Sequence, residues 1–169
     1  HNNADFWQEE RYVLGHLRPT QLARVRRTAD LSPYQGQVLL SLDLQQADFQ
    51  GAQLAGVQLK NCCLVASNLR GANLRGANLT NSDLQQADLR GADLTAADLE
   101  GVLLMGADLR GCCMQGTRLA AAEFWREGSP PPQVAGLDLQ GASMDDLLEE
   151  QHRFLRQQGV LPSTDVSEE

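Results

Sequence analysis

The sequence predicts an all-β solenoid, and two observations carry the prediction. In "ADLRGADLTAADLEGV", residues 87–102, an Ala, an Asp and a Leu return every five residues, and the period runs in unbroken register from Leu39 to Phe124. Neither standard secondary structure accommodates it. Five residues at about 100° each leave successive Leu residues roughly 140° apart around a helix, so no apolar stripe forms. On a continuous strand an odd repeat sends alternate Leu residues to opposite faces. The chain must therefore turn once in every five residues, with the Leu and the small residue two before it pointing inward. Such a unit buries its core only by stacking coil on coil.

The central position holds Leu in nearly every unit, with Phe49, Met114 and Phe124 as the exceptions. Two residues earlier stand mainly small side chains, among them Ala47, Cys62, Ser67, Ala72, Ser82, Ala92, Cys112 and Thr117. Two residues after the centre Gly is common, as at Gly71, Gly91 and Gly111, where a corner benefits from unrestricted backbone angles. An Asp or Asn precedes most centres and points outward beside the turn.

The runs "GANLRGANL" and "QQADLRGADL" fit the consensus A(D/N)LXX, and on these residues the chain resembles the pentapeptide-repeat family. The resemblance implies a right-handed β-helix of quadrilateral cross-section, four repeats to the coil and about 4.5 to 5.5 coils in all. At about 4.8 Å per coil the units from Leu39 to Phe124 make a rod roughly 22 Å long.

Taken in order, residues 1–36 are expected to form an N-terminal helical cap, from "DFWQEERYVLGHL" and "PTQLARVRR". Residues 37–125 form the β-helix. Residues 126–136 form a loop around "EGSPPPQ", because three prolines supply no ladder hydrogen bonds. Residues 137–143 add a last partial coil, with Leu139 and Met144 back in register. A C-terminal helix over 144–159 starts at a capping-box-like Ser143 and Asp146, carries Leu147, Leu148, Phe154 and Leu155 on one side, and stops at Gly159. Residues 160–169, ending in "PSTDVSEE", read as a disordered tail. The open ends of a solenoid expose unpaired strand edges, so terminal helices serve most simply as caps. The chain has no initiator Met and "HNN" reads as a tag or processing scar, so an upstream segment is expected.

Composition narrows the function. The net charge of -8 disfavours nonspecific nucleic-acid binding, and no apolar run approaches the roughly 20 residues of a membrane helix. Residues 36–125 carry six bases against nine acids, whereas residues 126–169 carry three Arg against nine acids, so most of the acidity lies behind the repeat. Repeated Asp suggests metal binding or acid catalysis, but each Asp occupies the consensus slot. Columns such as Asp48, Asn68, Asp88 and Asp108 beside Arg70, Arg90 and Arg110 describe a neutralised, solvated face. The Cys doublets, Cys62 with Cys63 and Cys112 with Cys113, lack metal-ligand spacing. Cys63 and Cys113 fall on opposite faces, so reduced thiols and a cytoplasmic setting are expected. His1, His16 and His152 have no nucleophile or base pattern around them, and no phosphate loop or cofactor fingerprint is present. No catalytic, cofactor-binding or metal-binding residue is assigned.

One column departs from the polar pattern. Outward positions on the face of Leu44, Leu64, Leu84, Leu104 and Phe124 include Cys63, Val65, Leu103, Met105 and Trp125, interrupted by Asp83 and Gln85. Apolar side chains grouped on a surface mark something that covers them. The expected cover is internal: the first helix, through Phe6, Trp7, Val13, Leu14 and Leu17, or after it the Pro-rich loop. The other reading is an unknown protein partner. The function expected is thus a noncatalytic interaction scaffold, a monomer or a dimer joined through Leu147, Leu148, Phe154 and Leu155. Two alternatives stand beside it. Quinolone-resistance members of the family, which this chain resembles, mimic duplex DNA and shield a DNA gyrase. The coils would otherwise be one end of a larger, membrane-attached protein.

The register predicts opposite consequences for adjacent residues. Leu89→Ala should cost about 2–5 kcal/mol and Arg90→Ala about 0.5 kcal/mol or less, both measured by urea unfolding.

Overall fold

A computed structural model of the chain describes residues 19–28, 30–31, 38–144 and 147–162. From Leu44 to Leu119 the five-residue units repeat one corner, with the Leu59 unit departing from its direct hydrogen bond. The carbonyl of the central residue accepts the N–H three residues on, as in Ala87 N to Leu84 O at 3.1 Å and Ala92 N to Leu89 O at 2.9 Å. This closes a four-residue turn whose third residue takes positive φ, the position where Gly or Asn is favoured. Gly91 sits there at 65° without a steric penalty, while Ala66, Ala96 and Ala121 hold 54–57° at a cost of roughly 1–2 kcal/mol each.

The outward Asp or Asn before each centre locks the corner that follows. Its Oδ1 accepts the backbone N–H two residues on, at 3.2 Å from Gln50 to Asp48, 3.2 Å from Arg70 to Asn68 and 3.1 Å from Arg90 to Asp88. This Asx bond is the physical reason for the D/N slot.

Coils join through parallel backbone bridges between residues twenty apart: Asp48 to Asn68, Asn68 to Asp88, and Asp88 to Asp108 on one face, with the same step on the others. One coil is therefore twenty residues, or four units. Only the first rungs are long enough to count as strands, β1 (Val38–Leu40) and β2 (Gln58–Lys60), paired parallel with Val38 opposite Gln58. Elsewhere the corner interrupts the ladder too soon. We number the faces by their centres: the first carries Leu39, Leu59, Leu79, Leu99 and Leu119; the second, Leu44 to Phe124; the third, Phe49 to Leu109; and the fourth, Leu54 to Met114. All these centres are 2 % exposed or less, and the small residues Ala72, Ala77, Ala87 and Ala107 are fully buried.

After Trp125 the ladder step becomes twenty-five: Asp108 pairs with Gln133, Cys113 with Asp138 and Arg118 with Ser143. The excursion inserts one extra unit, so Val134, Leu139 and Met144 return in phase above Leu109, Met114 and Leu119. The Pro-rich loop is thus shorter than the expected 126–136. Gln133 already belongs to the ladder, Val134 is 5 % exposed, and Gly136 turns a regular corner at φ 72°.

Helix α1 spans Pro19–Thr28, with Pro at its first position where a missing N–H costs nothing; Val25 and, beyond it, Leu31 are buried. The earlier helix expected from "DFWQEERYVLGHL" lies outside the described residues. Helix α2 spans Glu149–Gln157 rather than 144–159. Ser143 does not cap it, because its backbone is held in the ladder by Arg118 and Leu119. Leu148 stands at the N-cap in an extended conformation with no side-chain cap, and Glu149 and Glu150 face the positive end of the helix instead. Val160 and Leu161, expected in a disordered tail, pack on the core, with Val160 N donating to Leu155 O at 3.0 Å; residues 163–169 lie outside the described residues.

Two buried serines in the small-residue column differ in one respect. The Ser82 hydroxyl donates to Leu59 O at 2.9 Å and accepts Cys62 N–H at 3.0 Å, replacing the direct turn bond of the coil before it. The Ser67 hydroxyl has no partner. Ser82→Ala should therefore destabilise by about 1–3 kcal/mol, by orphaning two backbone groups. Ser67→Ala should leave stability unchanged or raise it, as read by chemical denaturation of both variants.

Candidate interaction surface

The second face brings together only part of the expected apolar column. Cys63, Val65 and Leu103 are half-buried in its outward row, whereas Met105 is buried at 4 % exposure. The excursion folds back beside Met105: a Cβ built on Gly106 would lie 3.0 Å from Cγ of Pro130. Trp125 is half-buried against the core, and its ring stacks on Phe154 with centroids 6.4 Å apart and planes 5° apart. The expected cover from Phe6, Trp7, Val13, Leu14 and Leu17 falls outside the described residues.

The cover over Trp125 comes instead from α2, through a residue the sequence reading passed over. Gln151 is 1 % exposed, and its Oε1 accepts the N–H groups of Phe124 and Trp125, both at 2.9 Å. Its Nε2 donates to Trp125 O at 2.5 Å. The excursion leaves Phe124 and Trp125 without a following coil, and the Gln151 amide stands in for it. The available signal was a neutral Gln one turn before the apolar pair Phe154 and Leu155. Of the four residues assigned to a helix face, Leu147, Phe154 and Leu155 are buried. Leu148, at the extended N-cap, is 56 % exposed.

All four cysteines are free. Cys62 and Cys112 lie in the core, where burial pushes their thiols up to about 11 and about 12. Cys63 lies on the second face and Cys113 on the fourth, where it sits 3.3 Å from the Thr95 hydroxyl. Among the described residues no three His, Cys, Asp or Glu side chains are placed to hold a metal ion, and no helix is long and apolar enough to cross a membrane.

The pattern of pentapeptide repeats matches this chain in eight copies over residues 41–71, 64–95 and 87–126. The chain belongs to the pentapeptide repeat family. Among solved structures it is similar to HetL of the cyanobacterium Nostoc sp. strain PCC 7120, a pentapeptide repeat protein involved in heterocyst differentiation regulation. Identity is 35% over 60% of this chain and 48% of that one, with a TM-score of 0.45. This repeat protein thus spans about half the length of HetL. It is also similar to a pentapeptide repeat protein of the Arabidopsis thaliana thylakoid lumen (25% identity, 76% and 74% covered, TM-score 0.44). A trypsin-treated form of QnrB1, a plasmid-mediated fluoroquinolone resistance protein, is similar at 23% identity (73% and 67% covered, TM-score 0.36). No curated protein matches.

The pentapeptide faces other than the second are laced with charge and amide ladders. On the third, Asn68 Nδ2 donates to Asp48 at 3.0 Å, Arg90 pairs with Asp88 at 2.5 Å and reaches Asp108 at 3.6 Å, and Arg110 pairs with Asp108 at 2.6 Å. On the fourth, Arg75 meets Asp93 at 3.2 Å; on the first, Arg118 meets Asp98 at 3.1 Å and also Glu100. Hydrogen bonds from the Arg90 and Arg110 side chains hold Asp88 and Asp108 below the usual carboxylate range. A carboxyl whose pKa is lower folded than unfolded stabilises the fold above its unfolded value, near 4, and loses that contribution as pH falls through the folded value. Urea midpoints should hold steady from pH 7 to about 5 and fall below about pH 4. In Arg90→Gln/Arg110→Gln the acid-side fall should be shallower.

Proposed function

We propose that this chain is a noncatalytic protein-interaction module, a right-handed four-sided β-helix whose second face meets a partner protein. One observation carries the reading. On three faces ion pairs and amide bonds tie outward groups of successive coils together, while the second groups half-buried Cys63, Val65 and Leu103 where the turn chemistry needs only polar residues. Large apolar groups at such positions add nothing to the coil, and apolar patches on protein surfaces mark contact sites. The four free thiols suit a reducing compartment, so the module is assigned to the cytoplasm. Duplex mimicry is the weaker reading, because Arg70, Arg75, Arg90, Arg110 and Arg118 stand along the rod among its carboxylates.

Site-specific photocrosslinking tests the proposal. A photoreactive residue at Val65 should form a discrete adduct with another protein in the native host, and the same residue at Arg90 on the third face should not. Adducts of equal yield at both positions, or at neither, would refute the second face as the contact surface.

A further inference from the structure

We propose that the groove between Trp125 and α2 binds a cationic side chain, Lys or Arg, carried on a basic segment of a partner protein. The proposal rests on the reading of this chain as an interaction module and adds a partner chemistry to it. The groove holds about 390 Å³ of open space and is lined by Trp125, Glu127, Glu150, Arg153, Phe154 and Gln157. Its aromatic wall is preorganised. Phe154 is 7 % exposed and stacked on Trp125, and the Gln151 amide pins the Trp125 backbone on both its N–H and its carbonyl. An aromatic face attracts a cation through its quadrupole, and Trp does so most strongly.

The charges of the rim select the same occupant. Behind the repeat, two arginines are already engaged within the molecule, Arg126 with Glu123 at 2.5 Å and Arg156 with Glu149 at 3.2 Å. Glu127 and Glu150 have no ion pair among the described residues, and nor does Arg153. Two carboxylates against one guanidinium leave the groove with a single excess negative charge, which one incoming cation balances. Residues 126–169 carry nine acids against three Arg, a sequence-wide balance that favours a basic partner segment over an acidic one. An anionic side chain would meet two carboxylates for the single guanidinium of Arg153.

Trp7 and Trp125 are the only tryptophans, so in Trp7→Phe the emission reports the groove alone. The probes are acetylated, amidated tetra-arginine and tetra-lysine peptides, with tetra-glutamate as control. The basic peptides should produce a saturable change in Trp125 emission that weakens with added salt; tetra-glutamate should produce none. In Glu127→Gln/Glu150→Gln, with an unchanged circular dichroism spectrum, affinity for the basic peptides should fall roughly fivefold or more. If the Trp7→Phe chain does not fold, calorimetric titration of the natural sequence and of the double variant gives the same comparison. Absence of saturable binding by either basic peptide, or equal affinity in the double variant, would overturn the proposal. The Val65 crosslink does not involve these carboxylates, so its persistence beside a failed titration leaves the interaction module standing without this site.

Discussion

The parallel main-chain ladder between residues twenty apart is the constraint on which the rest of the structure depends. Each rung supplies the backbone partners of the next, so a coil must contain the same number of residues as the one below it. Within that coil every unit must also turn through its corner in five residues, or the Leu that fills the core would point outward. The positive φ at the corner and the Asx bond beside it follow from this geometry. Even the one interruption obeys it: the excursion after Trp125 lengthens the step to twenty-five, a whole unit, and Val134, Leu139 and Met144 return in phase. Residues that rejoined the ladder out of this phase would turn the remaining core positions to the surface.

The same constraint explains which parts of the fold were legible in the sequence. A repeated unit reveals itself because each role, whether core Leu, small neighbour, Asx or corner, is set by residues a few positions away. Roles set from afar leave no such trace. Val134 was hidden behind a run of prolines that argued for loop, although its spacing to Leu139 is one unit. Ser143 and Asp146 match a helix-start pattern, but the Ser143 backbone is committed to Arg118, twenty-five residues back, and the helix waits until Glu149. The contact that seats α2, Gln151 on Phe124 and Trp125, spans twenty-six or twenty-seven residues and no periodicity announces it.

Because α2 is short, with no side-chain cap, it owes its existence to that docking, since isolated helices of this length are marginal in water. Gln151 works as a polar plug in an otherwise apolar contact. The Phe124 N–H lost its partner to the missing coil and the Trp125 N–H follows Glu123, which makes no Asx bond, so the desolvation of the Gln151 amide is offset by backbone groups that would otherwise be orphaned. Phe154 and Leu155 then bury beside it, and Trp125, stacked on Phe154, lines the groove.

The surface candidates rest on what particular residues forgo. An Asp or Asn in the slot before the centre gains an Asx bond, a contribution of about 0.5–1.5 kcal/mol. Among residues that depart from Asp or Asn on the other faces, Cys113 meets the Thr95 hydroxyl and Arg118 pairs with Asp98 and Glu100, while Val38 is 40 % exposed at the first rung. On the second face Glu123 likewise pairs with Arg126. Cys63 and Leu103 accept no backbone N–H through their side chains and gain no charge partner, yet they stand in a ladder whose backbone is indifferent to them. Their identity is therefore not explained by the stability of the coil. What remains to explain them is contact with something outside the rungs, which is the physical ground for placing an interaction surface on this face and not on the other three.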